Sequence, residues 1–219
     1  TMSEAVEVLR QFKGFSYFTE MSDIINRLED HVASARMKTT PVIDFEKNES
    51  LKGLDYLDTI YHAIVNGHPI QLKYRSFKAR SANSFIFYPY LLKEYRNRWF
   101  VYGVRGNGRI LQNLALDRIQ SLEVLPQEHY IKNTFFDPNT FFDDLVGVTK
   151  NTGSVAEKVG FKVAAAEAPY IITKPIHRSQ QVVERLADGS VILEIEVVIN
   201  HELERVFFGY AEGIQVPVS

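Results

Sequence analysis

Four stretches decide the fold: residues 69–75, PIQLKYR; 84–95, SFIFYPYLLKEY; 98–105, RWFVYGVR; and 109–119, RILQNLALDRI. In the first, Ile70, Leu72 and Tyr74 alternate with Gln71, Lys73 and Arg75, which is the two-residue period of a strand with one apolar and one cationic face. The next two are aromatic-rich strands. Gly106-Asn107-Gly108, between the third and fourth stretches, predicts a hairpin, because tight turns with positive φ favour these residues. With a last strand near 121–125, five short strands fall within some sixty residues. That is the content of a small SH3-like or OB-like antiparallel β-barrel.

The chain on either side reads differently. Upstream, Leu54, Leu57, Tyr61 and Ile64 recur at helical spacing, and Asn66-Gly67 supplies a left-handed helix stop. Further back, Met21, Ile24, Ile25, Leu28 and Val32 share one helix face, a shorter helix spans about 3–12, and Pro41 breaks a polar connector. Downstream, residues 131–158 carry aromatics without a strand period and predict a tether with a short helix after Asp137-Pro138. From Val159 the order becomes strand, short helix, strand, Asp188-Gly189 turn, strand, helix, strand. That βαββαβ pattern is the split order of ferredoxin-like modules. The predicted class is α+β: a helical linker or dimerisation segment (1–50), a barrel with a leading helix (51–130), a tether (131–158) and a ferredoxin-like module (159–219).

Composition narrows the function. The 219 residues are 45% hydrophobic, enough for real cores and against disorder. Cysteine is absent, which excludes disulfides, thiolate nucleophiles and thiolate metal sites. No run approaches the length of a membrane span, and TMSEAVEVLRQF lacks signal-peptide order, so a cytoplasmic chain without membrane contact is expected. The net charge of −2 is unevenly spread. Residues 73–118 hold ten Lys/Arg against Glu94 and Asp117, a net +8, which leaves −10 for the rest. A basic block inside an acidic chain points to an anion held at one place.

Within that block Arg75, Arg98, Arg105 and Arg118 are candidates to converge on phosphate, since planar guanidinium donors match its oxygens. Tyr74 and Tyr102 are candidate stacking faces for single-stranded nucleic acid. The plain alternative is a solvated strand face with half-buried tyrosines, and Trp99 reads as core. The six histidines form no metal motif: His201-Glu202 begins like a zincin helix, but Arg205 stands where the second histidine belongs. Gly103, Gly106 and Gly108 belong to a hairpin rather than a dinucleotide fingerprint. Ser179 lacks a nucleophile elbow, and Asp143-Asp144 reads as a surface pair. Neither an enzyme nor a cofactor is expected.

Tyr74, Pro89-Tyr90-Leu91, Arg98-Trp99-Phe100-Val101-Tyr102 and Leu116-Asp117-Arg118-Ile119 lie in the order of the WYL domain, with Trp99-Phe100-Val101 as a relaxed form of its tripeptide. His177, Ser179 and Gln180 before a strand, and Glu202-Leu203 opening the last helix, also resemble the flanks of bacterial WYL transcriptional regulators. The resemblance implies an SH3/Sm-like β-barrel that senses a nucleotide or single-stranded nucleic acid, and a C-terminal module that supports a homodimer. It also implies operator DNA bound only through an N-terminal helix-turn-helix, which these residues do not supply, so the chain reads as the sensor part. Phe85 and Ala115 stand where many members carry Arg, which implies a weaker or a different anionic ligand. The competing expectation is a protein–protein interaction or oligomerisation module with no small ligand.

Overall fold

A computed structural model describes residues 53–216 except 107 and 109. The helices expected within 1–50, the centre of the Gly106–Gly108 turn and the end of the last strand lie outside the described residues. The chain divides after Lys132 into two compact units.

The first unit opens with a 3-10 turn (Leu54–Tyr56) that leads into helix α1 (Leu57–Asn66). The helix buries Leu57, Ile60 and Ala63, with Ile64 partly buried beside them. The expected face of Leu54, Leu57, Tyr61 and Ile64 is therefore rotated. Leu54 belongs to the 3-10 turn, whose three residues per turn put it out of phase with the α-helix that follows. Gly67, at φ 64°, ends α1, and His68 N–H bonds back to the Ala63 carbonyl at 2.8 Å.

Strands β1 (Ile70–Tyr74), β2 (Asn83–Tyr95), β3 (Arg98–Arg105), β4 (Leu111–Ala115) and β5 (Ile119–Val124) form one sheet in the order β4-β3-β2-β1-β5. Every ladder in it is antiparallel. In β1, Ile70 and Leu72 are buried while Lys73 is exposed, as its alternation predicts. Long β2 pairs with β1 through residues 83–87 and with β3 through 87–95. The register slips between Pro89 and Leu91, where a residue without an N–H cannot complete the ladder. Arg96 and Asn97, at φ 49° and 59°, make the tight turn into β3. Ile70, Leu72, Phe87, Val101, Leu114, Leu116 and Ile119 pack with Leu57, Ile60 and Ala63 of α1 into one core, and Trp99 lies partly buried against it.

The second unit begins with turns. The short helix expected after Asp137-Pro138 does not form. Residues 137–145 fold as successive turns, with Thr140 N–H on the Asp137 carbonyl, Asp143 on Thr140 and Leu145 on Phe142. Asp137 instead accepts from the Asn139 backbone and side chain, each at 2.9 Å, a local bond that competes with a helix. Then come β6 (Glu157–Val163), α2 (Ala168–Thr173), β7 (Gln181–Arg185), β8 (Val191–Val197), α3 (His201–Gly209) and β9 (Ile214–Gln215), in the strand order β7-β8-β6-β9. Phe161, Val163, Ile171, Val191, Leu193, Ile195, Val197 and Leu203 form its core. Asn200 caps α3 by accepting from Leu203 N–H at 2.8 Å, and its amide donates to the Val146 and Thr149 carbonyls at 2.9 Å. One side chain thus ties the preceding loop to the helix start.

Ser179 Oγ accepts from Glu196 N–H at 2.9 Å and lies 2.7 Å from His177 Nδ1, which also accepts from the Ser179 amide. The pair fastens a loop to β8 and leaves the hydroxyl engaged with backbone. Burial, with the nearby Arg178 charge, lowers the His177 pKa below its ordinary 6.5. The unfolded chain therefore takes this proton first. The stabilisation is complete above about pH 6.5 and is lost as pH falls toward the folded-state pKa. Chemical denaturation of the second unit is expected to give a lower midpoint at pH 5.5 than at 7.5, with a smaller difference in His177→Gln. An equal pH dependence in that variant would remove His177 as a cause.

Candidate anion-binding site

The site is built around the 3-10 turn Leu116–Arg118 that joins β4 to β5. Leu116 is buried in the core and anchors the turn, so Asp117 and Arg118 are held at the sheet's end on a rigid base. Gly53 makes this close approach possible: at φ 88°, it lies so near that a Cβ would sit 2.4 Å from the Leu116 carbonyl carbon and oxygen. The chain just after β1 is tied to the same turn, with Arg75 N–H donating to the Arg118 carbonyl at 3.2 Å. Start-of-strand Arg98 reaches it too, its Nε 3.3 Å from Asp117 Oδ2.

These contacts bring four of the six expected residues together: Tyr74, Arg75, Arg98 and Arg118. Tyr74 lies partly buried with its hydroxyl beside the Ala115 backbone and the Arg118 side chain. Burial raises its pKa, against the opposing pull of the Arg118 charge. It thus acts as a support for Arg118 more than as an open stacking face. The Ala115 position, where the resemblance implies Arg in many members, is buried and serves through its backbone. Arg98 pairs with Asp117, the Arg118 guanidinium lies against Tyr74 and Phe77, and that of Arg75 donates to the Ala79 carbonyl, so three cations and one carboxylate belong to this end of the sheet. Arg118 Nε and Asp117 Oδ1 are buried without a hydrogen-bond partner among the described residues, a costly arrangement that native structures keep sparingly.

Two expected site residues do not belong here. Tyr102 is only 2% exposed. β3 runs between β2 and β4, and Val101 through Val104 are all buried, so alternation leaves no solvent face for a stacking tyrosine. Arg105 closes the opposite end of β3, seven residues from Arg98 and roughly 23 Å away at the usual strand rise. Its guanidinium lies 4.1 Å from the Phe85 ring centroid. Phe85 is the other position where Arg was implied, and here it carries a cation on its face instead of supplying one. No single phosphate reaches both Arg98 and Arg105.

Two residues escaped the sequence reading. Asp117 is the counter-ion of Arg98, and its signal was an acid next to arginine in LDRI. Phe77 lies over Arg118, with the guanidinium 4.3 Å from the ring centroid, and is 76% exposed. Its signal was an aromatic set in the basic turn Arg75-Ser76-Phe77-Lys78. Among the described residues no group of three His, Asp or Glu side chains could hold a metal ion, and no helix is long and apolar enough to cross a membrane.

Comparison with known families matches residues 55–124 to the WYL domain and residues 156–216 to the WCX domain. None of the curated proteins matches the chain. Among solved structures, the chain is similar to proteasome accessory factor B/C (PafBC) of Arthrobacter aurescens, at 15% identity and a TM-score of 0.34. The similarity covers 80% of this chain but spans only 26% of that one.

Proposed function

The chain is a WYL-domain protein with a WCX domain after it, and from that premise we propose that it is the ligand-sensing, non-catalytic part of a transcriptional regulator. Its ligand is an anionic nucleotide or a short single-stranded nucleic acid, bound at the turn that carries Arg118, with Arg98 and Arg75 beside it. The observation that carries this is the meeting, on a core-anchored turn, of Arg118, of Arg98 through its pair with Asp117, and of the Arg75 backbone on the Arg118 carbonyl. Phosphate is the anion that such a fork of donors suits best.

The strand order β4-β3-β2-β1-β5, with a 3-10 turn between the edge strands, supports reading the first sheet as the expected SH3/Sm-like barrel. The order β7-β8-β6-β9 in a βαββαβ chain supports a ferredoxin-like module. The divisions 1–50, 51–130, 131–158 and 159–219 stand as our domain assignment. In this reading the regulator is cytoplasmic, the C-terminal module joins two copies, and operator DNA is read by a helix-turn-helix outside the WYL and WCX domains.

Anisotropy titrations with a short single strand and with the duplex of the same sequence test the proposal. Tighter binding of the single strand is expected, because its bases are open to stacking and because none of the described helices presents a row of Lys or Arg to a major groove. Tight, sequence-dependent duplex binding would contradict it.

A further inference from the structure

We propose that Phe77 is the base-stacking residue of this site, so that it selects a nucleobase attached to the phosphate and not a bare phosphate or sugar phosphate; this rests on the reading of the Arg118 turn as an anion site. One face of the ring lies on the Arg118 guanidinium, 4.3 Å from the centroid. The ring is nonetheless 76% exposed, so the cation occupies little of it and the outer face remains in solvent.

An exposed phenylalanine contributes little to a core, and Phe77 belongs to none of the buried clusters. Its position is fixed all the same. Ala79 N–H donates to the Ser76 carbonyl at 3.0 Å and closes a tight turn with Phe77 at its tip. Arg75 Nε donates to the Ala79 carbonyl at 3.4 Å, and Arg75 N–H holds the turn on Arg118. The ring is thus a held platform, with its cationic side toward the phosphate-binding groups and its free side outward.

The juxtaposition has a chemical consequence. A guanidinium beneath an aromatic ring leaves its remaining N–H donors at the ring's edge, where a phosphate can reach them while an attached base lies on the ring above. Inorganic phosphate or a ribose phosphate would meet the charge and gain nothing from the ring. Neither expected tyrosine can take this role: Tyr102 is buried, and Tyr74 is turned under Arg118.

The test compares a short oligothymidine with the abasic oligomer of equal length, whose phosphate charge is the same. Stacking of one base is worth about 1–3 kcal/mol, so the intact protein is expected to prefer the oligothymidine by about 5- to 150-fold. Phe77→Ala is expected to erase that preference, read as the ratio of the two affinities within each variant, and Phe77→Trp to retain it. Equal affinities of the intact protein for both oligomers, or an undiminished preference in Phe77→Ala, would overturn the role of Phe77 and leave the anion site standing. Failure of both oligomers to bind would overturn the site along with it.

Discussion

A Gly103→Val chain is expected to unfold its first unit at a much lower denaturant concentration than the parent chain. Gly103 faces Pro89 across the β2–β3 ladder at the point where the register slips. A Cβ there would lie 2.1 Å from the Tyr88 carbonyl oxygen and 2.6 Å from the ring of Phe87, itself fully buried. The nearest atom is backbone and cannot rotate away, so the two strands must part. Overpacking of a tight core costs about 1–3 kcal/mol and sometimes more. With backbone displaced as well, a loss of about 3 kcal/mol is expected, a large part of the stability of a domain this size. Trp99, the sole tryptophan, is on the same strand and packs against the same core, so its fluorescence reports the unfolding directly. A denaturation midpoint equal to that of the parent chain would show that β2 and β3 do not approach as closely as described.

Arg118→Ala is expected to have the largest effect on binding while leaving the fold intact. The residue's backbone carbonyl, which holds Arg75, is unchanged by the substitution, and its side chain lies outside the core. What disappears is the cation that Tyr74 supports and Phe77 covers. A hydrogen bond to a charged group contributes about 1.5–3 kcal/mol, which corresponds to a loss of about 10- to 150-fold in affinity for a short single strand. Arg105→Ala is the matched control: it removes the same charge from the far end of β3 and is expected to leave affinity within about threefold, the effect of one distant, screened charge. Equal losses in both variants would mean that the basic block acts as a diffuse field and not as a site.

The strands were legible because their signals are local. The alternation in PIQLKYR, the aromatic runs that became β2 and β3, and the Asp188-Gly189 turn each reflect a preference carried by a few neighbouring residues. The face of α1 was not, since a 3-10 turn ahead of the helix shifts its phase and nothing in the spacing of Leu54 and Leu57 announces it. The burial of Tyr102 also depends on a tertiary fact, that β3 is an inner strand covered on both sides. The site shows the same division. Charge sorting picked out the basic block, and the LDRI motif marked Arg118, but separation along a strand is what excludes Arg105. Phe77 passed unnoticed because its value lies in a contact with Arg118, forty-one positions away, made only when the sheet brings the two turns together.

Binding of phosphate at the Arg118 turn carries a signature in salt. The affinity of the intact chain for a short single strand, measured by anisotropy across a series of sodium chloride concentrations, tests it most directly. If Arg75, Arg98 and Arg118 each neutralise a phosphate, log K is expected to fall linearly with log salt, with a slope of roughly −2 at about −0.7 per phosphate neutralised. Arg118→Ala should make that slope shallower by about one such step. An affinity that does not change with salt, in a chain that does bind the strand, would contradict the account.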